Sequence, residues 1–212
     1  MLSWSKRLWV RWFSKPPKLY RIAIISDTHN QHEKVKLPDG PIDLIVHCGD
    51  FTNRGTEAEA LEFLHWYSVL PVPRKILVPG NHEYPLRKTL DALLFNFPRI
   101  TFLNGRSEVV DDIKIYGTEG YDPFTLDAPV DILITHYPPL GILDKNDKFI
   151  ESGLEHVRDL VTANKIPYHF FGHVHQSAGI SKTNNTTYVN AAFLDSRVVQ
   201  TMTIETSSGA SL

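Results

Sequence analysis

Short runs of β-branched and aromatic residues recur along the chain, each closed by a polar or glycine-containing turn: Tyr20 to Ile25, Asp43 to Cys48, Lys75 to Val78, Ile113 to Tyr116, Asp131 to Thr135 and Tyr168 to Phe171. Continuous apolar runs bounded by turn signals predict buried strands. Between them the apolar spacing becomes helical. Over Thr56 to Leu70, Leu61, Leu64 and Tyr67 fall on one face, and Thr56 with Glu59 has the spacing of a capping box. Ser152 to Asn164 repeats the pattern, with Ser152 and Glu155 as the box and Leu154, Val157, Leu160 and Val161 facing inward. Leu86 to Phe95 predicts a third helix. Ile180 to Ile204 predicts further strands, divided by the turn cluster Thr183 to Thr186. Mixed strands and helices, without internal repeats, predict one α/β domain with strands central and helices outside.

A length of 212 residues suits a single domain, and 42% hydrophobic with 22% charged residues is ordinary for a globular chain. Residues 1–18 stand apart as a basic aromatic extension, with 19–212 expected to form the folded domain. Trp4, Trp9, Trp12 and Phe13 are interleaved there with basic residues, and Pro16-Pro17 ends the segment. An organelle-targeting peptide, a membrane-surface helix and an extension packed on the body or without fixed structure all fit that composition. Six basic residues precede the first acid, Asp27; without them 16 basic face 24 acidic residues, a net charge of -8. An acidic body argues against long nucleic acids, whose binding rests on neutralising phosphates with Lys and Arg. Cys48 is the only cysteine, so the fold does not depend on an intramolecular disulfide and a reducing cytosol is the expected compartment. No apolar stretch approaches the roughly 20 residues of a membrane-spanning helix.

The polar residues that change this picture sit where the strands end. Asp27 and His29 follow the first run, Asp50 the second, Asn81 and His82 the third, His136 the Asp131 to Thr135 run, and His173 and His175 the Tyr168 to Phe171 run. Loops at the carboxyl ends of parallel strands converge on one crevice. One such Asp is ordinarily a turn or cap residue and one such His a structural group; five strand ends carrying them together point to a site. Gly49, Gly80 and Gly172 stand beside three of these positions, where a missing Cβ allows close approach to an ion or phosphate. Carboxylate, imidazole and amide donors without thiolate suit Mn, Fe, Zn or Ni better than a structural zinc cage. Seven donors exceed the needs of one tetrahedral ion; two ions about 3.5–4 Å apart, sharing a carboxylate, would use them all.

Asp27-Thr28-His29, Gly49-Asp50 continuing to Gly55, Gly80-Asn81-His82-Glu83, His136 in Thr-His-Tyr-Pro-Pro, and Gly172-His173-Val174-His175 together resemble the calcineurin-like metallophosphoesterase superfamily, in family order from about Tyr20 to Ile204. Ser26 to His32, His47 to Thr52, Val78 to Glu83 and Phe170 to His175 are similar to the small metallophosphoesterase-domain-containing proteins, relatives associated with cyclic-nucleotide phosphodiester hydrolysis. The resemblance implies a four-layer α/β/β/α sandwich with a binuclear site at one edge. It also implies that Asp27, His29 and His175 hold one divalent ion, Asn81, His136 and His173 the other, and that Asp50 bridges them. Attack by a metal-bound hydroxide, with His82 polarising the phosphate or protonating the leaving oxygen, is the implied chemistry, and a small phosphoester the implied substrate.

Two positions depart from the protein phosphatases of that superfamily. Asn53 stands where they carry an Asp that orients the histidine, and an amide cannot stabilise an imidazolium as a carboxylate does. Pro79 stands where they place an arginine. Arg54 matches a phosphate-contacting arginine of those enzymes and is a candidate substrate-binding residue, with a solvated loop arginine as the alternative. The remaining histidines, His32, His47, His65, His156 and His169, are read as structural. A non-catalytic interaction scaffold and a nuclease of the same superfamily are the competing functions. The intact donor set argues against the first and the acidic body against the second.

Overall fold

The computed structural model describes residues 18–205. Everything read from the basic aromatic segment before Lys18 lies outside the described residues. In chain order the elements are β1 (Leu19–Ile25), β2 (Leu44–His47), α1 (Glu57–Val69), β3 (Arg74–Leu77), α2 (Leu90–Leu94), β4 (Thr101–Phe102), β5 (Arg106–Val110), β6 (Ile113–Gly117), β7 (Ile132–Ile134), α3 (Glu155–Asn164), β8 (Tyr168–Phe171), β9 (Gly179–Lys182), β10 (Thr187–Asn190), α4 (Phe193–Ser196) and β11 (Gln200–Glu205). The six apolar runs read from the sequence form β1, β2, β3, β6, β7 and β8, with ends shifted by a residue at most.

One sheet has the order β11-β1-β2-β3-β4 and the other β5-β6-β7-β8-β10-β9. β1 to β4 are parallel, as are β6, β7, β8 and β10, while β11, β5 and β9 close the sheets antiparallel. Parallel strands covered on both faces are apolar throughout rather than alternating, which is why Ile22 to Ile25 are all fully buried. Ile22, Ile24, Leu44, Val46 and Ile76 of the first sheet meet Ile115, Ile132, Ile134, Phe170 and Val189 of the second in a core between the sheets. The outer face of the first sheet buries Ile25, Ile45 and Leu77 against Phe63, Leu64 and Tyr67 of α1. The outer face of the second buries Leu133, Phe171 and Tyr188 against Val161 of α3. The layers are therefore helix, sheet, sheet, helix, as the resemblance implied.

The capping box of α1 forms: Glu59 N–H donates to Thr56 Oγ1 at 3.3 Å and Thr56 N–H to Glu59 Oε2 at 3.2 Å. Such a cap stabilises a helix by about 1 kcal/mol. Here Glu59 also accepts from Asn30 Nδ2 at 2.7 Å and from Arg54 N–H at 2.9 Å. The helix start thereby anchors the loops that follow β1 and β2.

The box expected at Ser152 does not form. α3 begins at Glu155 with Leu154 in the capping position, and no side chain caps it. Ser152 N–H is spent on the Asp144 carbonyl at 2.9 Å, and Leu154 is held in extended geometry by a bridge to Pro139. The helix expected over Leu86 to Phe95 contracts to α2, because Asn81–Leu86 winds as a tighter 3-10 turn containing Pro85. β4, β5 and α4 were not anticipated from the sequence.

Candidate metal centre

Carboxyl ends of β1, β2 and β3 from one sheet and β7 and β8 from the other face the same edge, and backbone bonds tie their loops together. Asp27 N–H donates to the Gly49 carbonyl at 2.9 Å, His29 N–H to the Asp50 carbonyl at 3.1 Å, and Gly172 N–H to the His136 carbonyl at 3.0 Å. Asp27, His29, Asp50 and His173 all adopt the left-handed backbone conformation, with φ between 41° and 69°. For residues with a Cβ this conformation costs on the order of 1 kcal/mol each, and it persists only where surrounding contacts fix it. A Cβ on Gly80 would collide with the Asp50 carboxylate, and one on Gly172 with Asp27 Oδ2 and Ser26 Oγ. Those two glycines therefore let the Asp50 and Asp27 carboxylates close on the backbone.

The seven residues expected as ligands lie together. Asp27, His29 and His175 offer atoms all within 4.8 Å of one another, as do Asp50, His136 and His173. His175 Nε2 is 3.2 Å from Asp27 Oδ1 and 3.3 Å from His29 Nε2. Asn81 Oδ1 is 3.0 Å from His136 Nε2 and 3.1 Å from His173 Nδ1. Asp50 Oδ2 stands between the two groups, 3.8 Å from His29 Nε2 and 3.2 Å from His136 Nε2. The cleft has a volume of about 380 Å³, and His29, Asp50, Asn81, His82, His173 and His175 line it with Asn53 and Leu194.

Backbone carbonyls select which imidazole nitrogen faces inward. His29 Nδ1 lies 3.2 Å from the Thr52 carbonyl and His136 Nδ1 lies 2.9 Å from the Cys48 carbonyl. Each such bond takes a ring proton on Nδ1 and turns Nε2 toward the cleft, the usual way a protein orients imidazole ligands.

Electrostatically the centre gathers positive charge. Burial alone would keep His136 neutral, but Asp50, then Asp27, raise it to about 10. Burial opposes ionisation of Asp50, yet His136 and the His82 backbone hold the carboxyl well below the usual carboxylate range. Asp27 is likewise lowered, with burial outweighed by its bond from His175. His29 and His173 are pushed down by burial, His173 to about 4, leaving neutral rings with available lone pairs. Two buried carboxylates, four imidazoles and an amide oxygen, all aimed at one small volume without thiolate, fit divalent cations of the Mn, Fe, Zn or Ni type, which would displace the protons that Asp50 and Asp27 favour on His136 and His175.

His82 lies at the edge of this cluster, half-buried, with Nε2 3.9 Å from Asp50 Oδ2. Its Nδ1 is 2.6 Å from the Asn53 main-chain carbonyl. The side chain at position 53 thus does not orient this ring: the backbone does, and the Asn53 side chain is exposed without a hydrogen bond among the described residues. Asn53→Ala should accordingly leave kcat within about threefold of wild type and leave the pH profile unmoved, since a main-chain acceptor survives truncation. A large kcat loss in steady-state assays would return the orienting role to the amide. Arg54, one residue on, is exposed and is not part of the cleft lining; its backbone N–H anchors to Glu59.

Glu83 is a site residue to which the sequence motif gave no role. Fully buried, its carboxylate accepts from the backbone N–H groups of Asp50 at 2.9 Å, Thr52 at 2.9 Å and Gly80 at 2.8 Å, and from Thr52 Oγ1 at 2.7 Å. Burial and the neighbouring Asp50 carboxylate push it up to about 8, against those donors. One side chain thereby clamps the loop bearing Asp50 to the loop bearing Asn81. Glu83→Gln must turn an amide NH2 toward one of the fixed N–H donors. Above about pH 8, where the wild-type side chain is ionised, we expect a loss of about 1–3 kcal/mol, read as a Tm lower by roughly 3–10 °C in calorimetry of the metal-free protein; an unchanged Tm there would refute the clamp. Asn190 was also missed. At the end of β10 it donates to the carbonyls of Val174 at 2.8 Å and Leu143 at 3.0 Å, which fixes the segment between His173 and His175.

The family model described as calcineurin-like phosphoesterase matches residues 20–177. Metallophosphoesterase domain-containing protein 1 of Homo sapiens is 30% identical over 84% of this chain and 67% of its own length. The UPF0046 protein K07C11.7 of Caenorhabditis elegans is 33% identical over 81% of this chain and 69% of its own. Among solved structures, TT1561 of Thermus thermophilus superposes with a TM-score of 0.63 at 15% identity, over 87% of this chain and 99% of that one; at that identity the likeness speaks to fold alone. Matched over most of its length, this chain belongs to the calcineurin-like phosphoesterase family and is a metal-dependent phosphoester hydrolase.

Proposed function

We propose that the chain hydrolyses small phosphodiesters, cyclic nucleotides being the first candidates from the subfamily resemblance, at a centre holding two divalent cations. The observation that carries this reading is the position of Asp50 Oδ2, within 3.8 Å of His29 Nε2 on one side and 3.2 Å of His136 Nε2 on the other. Asp27, His29 and His175 would hold one cation and Asn81, His136 and His173 the other, with Asp50 shared. Cations there supply Lewis acidity, lowering the pKa of a water nucleophile and offsetting charge on the phosphoryl oxygens. The protein residues supply the rest. Left-handed loops preset the donors, so little reorganisation accompanies binding. With Nδ1–H held by the Asn53 carbonyl, His82 as an imidazolium carries its second proton on Nε2, facing the cleft, and delivers it to the departing oxygen. Arg54 would meet phosphate oxygens from the exposed rim.

No helix among the described residues is long and apolar enough to cross a membrane. The acidic body favours a small substrate over a polymer. Turnover of bis(p-nitrophenyl) phosphate and of cyclic nucleotides, measured with Mn, Zn, Ni or Mg added to chelator-treated protein, tests the reading. We expect turnover of both that requires added metal. Folded protein inactive with every ion on both would overturn it, and hydrolysis confined to monoesters would overturn the diester assignment.

A further inference from the structure

Two buried histidines inside strands do not behave as core filler. His47 ends β2 and His169 lies in β8, both fully buried in the apolar layers beneath the helices. The His47 ring centroid is 4.9 Å from that of Phe63, and the His169 ring centroid is 4.9 Å from that of Phe171. Burial pushes each down to about 3, so both rings are neutral at working pH. In each, Nδ1 is buried without a hydrogen-bond partner. An orphaned polar atom of this kind costs about 1–3 kcal/mol, which a leucine or phenylalanine at either position would avoid.

What each ring does make is one bond, and the two bonds are alike. His47 Nε2 is 3.1 Å from Thr28 Oγ1 and His169 Nε2 is 2.8 Å from Thr135 Oγ1. Both threonines are fully buried. Thr28 lies between Asp27 and His29, and Thr135 immediately precedes His136. In each sheet, then, an imidazole on one strand reaches the loop that leaves its parallel neighbour: β2 to the end of β1, β8 to the end of β7. Thr135 Oγ1 in turn donates to the Tyr137 carbonyl at 2.6 Å, so it must accept from His169 Nε2–H, and the chain of bonds straddles His136. On the β1 side the anchored residue is flanked by the left-handed Asp27 and His29, a stretch that would relax without support.

We infer that His47 and His169 are positioning residues, each fixing through a buried threonine hydroxyl a loop whose neighbouring side chains hold metal. The inference rests on the ligand set given under the proposed function. Groups one step behind metal ligands commonly govern affinity as much as the ligands do, with losses of about 10- to 100-fold when removed.

The test is calorimetric titration of Mn2+ into metal-free protein, with Tm of the metal-free protein recorded alongside. Thr28→Val and Thr135→Val delete only the hydroxyl, and each should weaken Mn2+ affinity by about 10- to 100-fold. His47→Gln, which retains a hydrogen-bonding group near the ring Nε2, should recover part of the affinity lost in His47→Leu. Thr28→Val combined with His47→Leu should be no worse than the weaker-binding single variant, because both remove one interaction. Mn2+ affinity within threefold of wild type in both valine variants, or multiplied losses in the double variant, would overturn the inference. Wild-type protein that takes up none of Mn2+, Zn2+ and Ni2+ in the same titration would sink the ligand set itself, a failure separable from unchanged affinity in the variants.

Discussion

Asp50→Asn is expected to abolish binding of at least one divalent ion per chain and to lower kcat/KM by about 10³-fold or more, on the order of 4 kcal/mol of transition-state stabilisation. Asparagine keeps the Oδ1 acceptor that receives the His82 backbone N–H at 2.8 Å, so the loop after β3 retains its anchor. What it loses is the charge at Oδ2, which faces His29 on one side and His136 on the other. No other carboxylate among the described residues is placed between the rings of both halves: Asp27 meets the His29 and His175 rings and the His173 backbone N–H, and Glu83 is filled by backbone donors. Two buried carboxylates repel each other when metal is absent, and Asp50 raises both Asp27 and Glu83. His136 outweighs that repulsion, because it holds Asp50 well below the usual carboxylate range and is itself raised by Asp50, so the metal-free variant should unfold below the wild-type Tm as activity disappears. Metal content by mass spectrometry and Tm by calorimetry read the two effects separately. Full metal occupancy in Asp50→Asn would remove the shared-carboxylate reading.

The sheets were legible because parallel strands buried on both faces write themselves as unbroken apolar runs, and the candidate ligands because five of the six runs lead into Asp, Asn or His. That signal is local. It fails where tertiary contacts decide: β5 exposes Arg106, Ser107 and Glu108 and so carries little apolar pattern, while β4 is two residues long. Ser152 has a capping sequence, but the competing bond to the Asp144 carbonyl and the extended pairing of Leu154 with Pro139 start α3 later. Convergence of His136 with Asp50 depends on two sheets packing face to face, a contact that no spacing along the chain encodes. The supporting groups were hardest to read. Glu83 stood in a motif yet bonds to three backbone N–H groups, which have no sequence signature, and His47 and His169 in apolar runs look like ordinary strand residues until their threonine partners come into view.

His82→Ala separates chemistry from metal binding. Its Nε2 is 3.9 Å from Asp50 Oδ2, its side chain is about one-third exposed to the cleft, and its Nδ1 is anchored outside the ligand cluster on the Asn53 carbonyl. Truncation should leave metal content near wild type and lower kcat by about 10²- to 10³-fold, the usual range for a positioned general acid. The loss should depend on the leaving group. A p-nitrophenolate leaves readily without a proton, so bis(p-nitrophenyl) phosphate should lose about a tenth of what an alkoxide-leaving diester such as a 3′,5′-cyclic nucleotide loses, since the alkoxide needs the proton that Nε2 carries. The effect should fall on kcat more than on KM, because the transferred proton matters in the transition state and little in the ground state. Metal lost in parallel with rate would make His82 a ligand, and equal losses for both substrates would make it a phosphate-polarising group; either result would remove the general-acid role while leaving the cluster around Asp50 intact.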